Sequence, residues 1–238
     1  IVTGDLGKFF LPERNLRQYS EEFDNAYWTK TNTSITANTT TAPDGTLTAD
    51  ALIENTTPSV GHSVTQSVAF VAGRTYTASC YFKAYPGPIA RHIRLYLGNA
   101  TTFGVDTYIR VNPASGTILN TVGSPIDSGI TSVGDGWYRA WLTKVCTVSN
   151  TSSPIIQLVN TTNSGLYTDA DGLSGVYLWG AQHEEGDLTD YDPTGPNAAT
   201  RTDTRHDVLL NGETGSFSLT GNAAGLSYIV PKRYVLVT

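Results

Sequence analysis

The clearest regularity along the chain is a two-residue alternation of apolar and polar positions. Between Thr75 and Lys83, Tyr76, Ala78, Cys80 and Phe82 form one phase, while Thr77, Ser79, Tyr81 and Lys83 form the other. A strand does this when one of its faces packs in a core. The same period returns in Ala90–Gly98, where Ile93, Leu95 and Leu97 read inward and His92, Arg94 and Tyr96 outward. In Trp137–Val145, Tyr138, Ala140 and Leu142 alternate with Trp137, Arg139 and Trp141. Ser63–Val71 reads as one strand, with Val64, Gln66, Val68 and Phe70 in phase. Thr33–Ala37, Ala49–Glu54, Val105–Val111, Thr117–Val122, Pro154–Asn160 and Gly175–Glu184 complete a set of roughly ten expected strands.

Turn signals separate these runs: Ala42-Pro43-Asp44-Gly45, Ala72-Gly73-Arg74, Tyr85-Pro86-Gly87-Pro88, Asn112 to Gly116, and Gly134-Asp135-Gly136. The connections are too short for parallel crossovers, and no segment carries a helical apolar stripe about ten residues long. The expected fold is therefore all-β, an antiparallel two-sheet sandwich or barrel. The ends read differently. Residues 1–14 lack either period and hold an apolar knot, Phe9-Phe10-Leu11, before Pro12; this is an expected arm or anchor. Residues 15–196 form the expected domain. Residues 197–238 read as a linker and a small β-hairpin, with strands at Gly215–Gly221 and Tyr234–Thr238. An isolated hairpin is marginal in water, so both ends should pack on the domain or on other chains.

Composition adds to this picture at three points. Only 15% of residues are charged, against about 25% in ordinary domains; Thr, Ser and Asn fill the polar quota, which suits strands and turns. The net charge of −6 argues against a nucleic-acid groove, which needs clustered Lys and Arg. No apolar run is long enough for membrane insertion as a helix. Cys80 and Cys146 sit in strand patterns and read as two buried thiols, a single bridge between them being the alternative.

No catalytic grouping is legible, and the expected protein is not an enzyme. Glu184 and Glu185 are adjacent and would face opposite ways in a strand; Asp187, Asp190 and Asp192 lie on a Gly/Pro/Asp-rich exit. The four histidines, 62, 92, 183 and 206, are scattered, and nothing in the residues implies a cofactor. Aromatic rings flanked by polar groups suit sugar binding better. Tyr81 and Lys83, then His92, Arg94 and Tyr96, then Tyr177, Trp179 and Gln182 lie on the outward phases of three strands. The last set requires a bulge at Gly180 that returns Ala181 to the core. If the three strands share a sheet, these eight residues make one aromatic and basic face, for ligand or subunit contact. The alternative is that a loop, the C-terminal hairpin or a neighbouring subunit covers those rings. An open face predicts that Trp179→Ala with Tyr96→Ala weakens glycan binding at an unchanged melting temperature.

One ordered set of motifs carries more. It comprises Tyr19-Ser-Glu-Glu-Phe-Asp-Asn-Ala-Tyr-Trp28, Ala42-Pro-Asp-Gly45, Ala49-Asp-Ala-Leu52, Thr75 to Ala84, Gly136-Trp-Tyr-Arg139 and Tyr177-Leu-Trp-Gly-Ala-Gln-His-Glu184. In that order these resemble carbohydrate-binding-module-like jelly-roll domains of tailed-bacteriophage virion proteins, over about residues 15–196. Residues 212–238 separately resemble an element near the C-termini of phage structural proteins. The resemblance implies a virion protein on an extracellular particle: a tail-fibre or tail-tip component adhering to host glycan or, alternatively, a capsid decoration or head-fibre protein. A carbohydrate-binding module of a secreted hydrolase ranks below both. The resemblance also implies partner virion proteins at residues 1–14 and 212–238 and, by analogy, a homotrimer. Sugar-binding relatives of this fold often hold a structural calcium ion near the first and last strands, for which Glu22, Asp24 and Glu184 are the nearest candidates here. The chain departs from that pattern, because the late acidic ligand would fall near Trp179 or Gly180. Tyr167-Thr-Asp-Ala-Asp-Gly172 resembles part of a calcium loop but lacks its bidentate Glu, and reads as a polar turn.

Overall fold

A computed structural model describes residues 15–196. The expected arm and C-terminal hairpin lie outside these described residues. The strands, in chain order, are β1 (Thr29–Thr31), β2 (Thr33–Thr40), β3 (Ala49–Glu54), β4 (His62–Thr65), β5 (Val68–Phe70), β6 (Thr75–Ala84) and β7 (His92–Gly98). A short helix α1 (Ala100–Phe103) precedes β8 (Thr107–Asn112), β9 (Thr117–Val122), β10 (Asp127–Gly134), β11 (Trp137–Val145), β12 (Asn150–Ser152), β13 (Ile155–Val159) and β14 (Gly175–Glu185).

Two six-stranded antiparallel sheets form a jelly-roll sandwich. One has the order β1-β4-β13-β7-β8-β9 and the other β10-β11-β6-β14-β3-β2; β12 and β5 pair separately. The inward phases meet between the sheets. Ala78, Cys80, Phe82, Ala140, Leu142, Val176 and Leu178 come from one side, and Val64, Ile93, Leu95, Ile109, Val111, Ile156 and Leu158 from the other. Each fully buried large apolar side chain in this layer, such as Phe82, contributes on the order of 1.5–3 kcal/mol.

Two expectations change, and one alternative falls. Ser63–Val71 is not one strand: the chain leaves the first sheet at Gln66 and resumes as β5. Gln66 is the pivot. Its backbone carbonyl accepts from Arg17 Nη1 at 2.7 Å, and its side chain bonds the backbone of Gln18 in both directions. These bonds satisfy groups that a continuous ladder would otherwise have paired. Cys80 and Cys146 are separate, buried free thiols, so the bridge is excluded. Burial pushes the Cys80 thiol up to about 12 and leaves it inert. Finally, β10 went unread because only Ile130 of its residues packs on the core.

The loop after β13 is tied down from below. The Glu54 carboxylate at the end of β3 accepts from Arg91 Nε at 2.6 Å and Nη2 at 2.8 Å, from the Tyr167 hydroxyl at 2.6 Å and from the Asp171 backbone N–H at 2.9 Å. Both charged side chains of the Glu54–Arg91 pair are fully buried. Arg91 also reaches Asp169 and lies over the Tyr167 ring, 4.4 Å from its centroid. The segment 160–174 is thereby tied to the end of β3, and earlier in it Asn163 and Gly165 lie against His92 and Gln157 of the first sheet.

Candidate functional site

The eight residues expected on one face divide between two sheets. Tyr81 and Lys83 on β6 and Tyr177, Trp179 and Gln182 on β14 stand on the outer face of the second sheet, where Trp179 pairs Tyr81 and Tyr177 pairs Lys83. His92, Arg94 and Tyr96 on β7 stand on the outer face of the first sheet. The single patch is therefore corrected. The connection Tyr85–Arg91 crosses between sheets, so β6 and β7, neighbours in sequence, are not neighbours in a sheet.

The bulge at Gly180 forms as expected. Gly180 has φ +59, the β6–β14 register shifts between Trp179 and Gln182, and Ala181 returns to the core. Glycine is required there, since a Cβ would lie 3.0 Å from the Tyr81 ring and 3.1 Å from the Tyr191 ring.

Over the second sheet, cover by a loop is what forms, and the exit segment supplies it. Tyr81, Trp137 and Trp179 form a second apolar cluster with Ala42 and Ala49, joined by half-buried Tyr177 and Tyr191. Trp179 is 4% exposed and Tyr81 9%. Tyr191, from the exit segment, closes over both at centroid distances of 4.7 and 5.8 Å. The Trp179 indole N–H donates to Thr48 Oγ1 and that of Trp137 to the Thr41 carbonyl, both at 3.0 Å. The exit segment is fastened through Gln182, which donates to Glu184 and accepts from the Asp192 N–H, and through Arg139, which donates to the Thr189 carbonyl. The Tyr191 hydroxyl lies 2.6 Å from Ser20 Oγ and donates to Glu21. These rings are core. Of the five expected residues on this face, Lys83 and Tyr177, beside Tyr85, stay half-exposed at one end. Trp141, on β11, lies over Gly129 and donates to Asp127.

The outer face of the first sheet is built differently. Cross-strand register aligns Gln157, Arg94, Arg110 and Asn120 in one row, and Ile155, Tyr96, Tyr108 and Val122 in the next. The β7–β8 hairpin sets this register. Asn99 caps α1 by accepting from the Thr102 N–H, Gly104 ends it at φ 77, and Phe103 plugs the core. Tyr96 and Tyr108 stack at 6.0 Å and 24°. The guanidinium carbons of Arg94 and Arg110 lie 4.8 and 5.0 Å from the Tyr108 centroid. All four side chains are half-buried rather than closed over. Burial first, and then the charge of Arg110, draws the Arg94 guanidinium below its usual value. Burial also raises the Tyr96 hydroxyl, reinforced by its hydrogen bond to Asp106 at 3.0 Å, so the ring stays neutral.

Two margins flank this floor. On one side, Asn163 meets His92 at 3.3 Å, the Gly165 carbonyl accepts from Gln157, and a Cβ at Gly165 would touch Arg94. His92 is consequently covered, unlike Arg94 and Tyr96. On the other side, Val122, Asp106, Gly123 and Ser124 line an open depression of about 610 Å³. Tyr108, Arg110, Gln157 and Asn120 were missed from sequence, although Tyr108 and Arg110 alternate with Ile109 and Val111 as clearly as the β7 residues do.

The calcium candidates are not assembled. The Glu184 carboxylate accepts from Gln182 and Thr189, and among the described residues no group of three His, Cys, Asp or Glu side chains could hold a metal ion. Among them, too, no helix is long and apolar enough to cross a membrane.

No protein-family model and no curated protein matches the chain. Solved structures similar to it include the enzymatically active domain of tailspike protein 4 of bacteriophage CBA120, at 13% identity and a TM-score of 0.41, covering 73% of this chain and 22% of that one. The chain thus spans less than a quarter of the tailspike domain's length. The CBM22-1 xylan-binding domain of Xyn10C from Paenibacillus barcinonensis aligns at 15% identity and a TM-score of 0.41, covering 74% of this chain and 96% of that one. At this level the likeness concerns the coarse β-sandwich and no individual residue.

Proposed function

We propose that this chain is a non-enzymatic, glycan-binding β-sandwich of a phage virion appendage, which uses the outer face of the β4-β13-β7-β8 sheet to adhere to host surface sugar. The observation that carries the binding reading is the half-exposed Tyr96–Tyr108 pair beside a row of hydrogen-bonding side chains, between two loop margins. Flat rings give a sugar its apolar contact, and amide and guanidinium groups fix its hydroxyls. The ordered motif set between Tyr19 and Glu184 supports the virion assignment. The second reading, a capsid decoration or head-fibre protein, keeps the fold and makes the same face an assembly contact.

Retention of the full chain on an array of bacterial surface oligosaccharides tests the proposal. Tyr96→Ala with Tyr108→Ala is expected to lower retention at least about tenfold while the melting temperature moves little, as stacking contacts of this kind are worth about 1 kcal/mol each. Retention unchanged by the double substitution, or absent from the unaltered chain, would count against it.

A further inference from the structure

Arg94 and Arg110 stand directly opposite each other on β7 and β8. Like charges in register across two strands destabilise a sheet; the Tyr108 ring beneath both guanidiniums offsets part of that cost, and no ion pair among the described residues does. The two cross-strand rows contain Gln157, Asn120, Ile155, Tyr96, Tyr108 and Val122, and no carboxylate. The ion pairs among the described residues join Arg74 to Glu185 and Arg91 to Glu54 and Asp169; neither Arg94 nor Arg110 takes part. Arg110 donates to the Tyr108 hydroxyl at 3.3 Å, and the Nε atoms of both arginines are buried with no hydrogen-bond partner among the described residues. Two guanidiniums, each with five donors, are thus partly desolvated and under-used in a chain whose net charge is −6. The acidic side chain nearest the rows, Asp106, is engaged by the Tyr96 hydroxyl and the Ala100 N–H.

We infer that the Arg94–Arg110 pair is an acid-binding subsite, and that the ligand of this face is an acidic glycan whose carboxylate or phosphate lies across both guanidiniums while its ring rests on Tyr96 and Tyr108. The inference rests on the glycan-binding reading and specifies its substrate class. A planar guanidinium fork matches a carboxylate or phosphate with two parallel hydrogen bonds. The ligand's charge would relieve the repulsion that the sheet otherwise carries. The arginine row and the tyrosine row are two residues apart along the strands, roughly 7 Å, a spacing that a sugar ring and its pendant acid bridge.

The test uses the full chain on an array holding neutral, uronate-bearing, sialate-bearing and phosphate-bearing oligosaccharides. Expected is retention on acidic members, lost about tenfold or more in Arg94→Gln with Arg110→Gln. Arg94→Lys with Arg110→Lys should recover part of it, because charge returns without the fork. The unaltered chain should also lose retention between about 0.05 and 0.5 M NaCl, a readout that depends on no variant's folding. The carboxylate and phosphate arms distinguish the two sources of the acid. Retention on neutral members alone, indifferent to salt and to both arginine variants, would overturn the acid subsite and leave the glycan reading standing. No retention on any member would overturn both. Self-association by sedimentation velocity that disappears in Arg94→Gln with Arg110→Gln would assign the face to a second copy and likewise overturn the subsite.

Discussion

The two outer faces of the sandwich begin from the same alternation and end as opposites. On the second sheet, Tyr81, Trp137 and Trp179 project away from the main core and are sealed by Tyr191 and the segment around Thr41–Thr48. On the first sheet, Arg94, Tyr96, Tyr108 and Arg110 project away just as regularly and remain half-exposed between two margins. The difference does not lie in the strands. It lies in what the irregular segments do: the exit after β14 folds back over one face, whereas the segment 160–174 covers His92 and Gln157 at the edge of the other. An aromatic on an outward phase thus marks a surface only when no loop returns to claim it.

The largest expected effects separate structure from surface. Trp179→Ala should cost about 3–5 kcal/mol in urea unfolding, as a ring lost from a closed core does; this reverses the sequence expectation of an unchanged melting temperature. A loss below about 1 kcal/mol would mean that the second face is open after all. Arg91→Ala should cost a similar 3–5 kcal/mol, because the fully buried Glu54 would lose its partner. It should also speed amide exchange at Asp171, whose N–H Glu54 holds; exchange there at the unaltered rate would show that the margin of the open face stands without the ion pair.

Smaller effects sharpen the contrast. Gly180→Ala should cost roughly 1–2 kcal/mol from its left-handed backbone, with a further strain from Tyr81 and Tyr191, and it should increase the fluorescence quenching of Trp179 by acrylamide. Unchanged stability and quenching would show that the bulge does not seat the cover. The smallest change at neutral pH is expected from His183→Phe. His183 is fully buried between Phe70 and Tyr76, and neither ring nitrogen has a partner among the described residues. Burial, and then the Arg17 charge, holds it well below its usual value, so it is neutral when folded and takes up a proton on unfolding. Its contribution is present above about 6.5 and is lost as pH falls, by up to about 1.4 kcal/mol per pH unit. Asp50 works the other way: burial raises its carboxyl to about 6, so the cost of keeping it ionised is relieved as pH falls from there towards 3.8. His183→Phe removes only the first slope. The stability difference between variant and parent should therefore widen between pH 7 and 5, and a difference constant with pH would remove His183 from the account.

The strands themselves were legible because period-two patterning follows directly from the pleat. Even the bulge was readable: Val176 and Leu178 point in, Tyr177 and Trp179 out, and Ala181 can return inward only through a conformation that glycine permits. Sheet membership was not readable, since alternation says which side of a strand is buried and not which strand lies beside it. Arg94 and Tyr96 were therefore grouped with Tyr81 and Trp179, when their true neighbours, Arg110 and Tyr108, lie on the next strand of the chain, across a single connection. That a loop would cover the outward rings of the second sheet was foreseen; which segment does so was not readable, for a related reason. Tyr191 sits alone in an irregular Asp- and Pro-rich segment, where no period announces a packed ring.

The most direct test of the contrast is hydroxyl-radical footprinting of the aromatic side chains, with and without the acidic oligosaccharide best retained on the array. Tyr96 and Tyr108 should be oxidised in the free chain and protected by the sugar, while Tyr81, Trp137 and Trp179 stay unreactive in both samples. Oxidation of Trp179 in the free chain that the sugar suppresses, with Tyr96 and Tyr108 unaffected, would place the binding face on the other sheet and contradict the account.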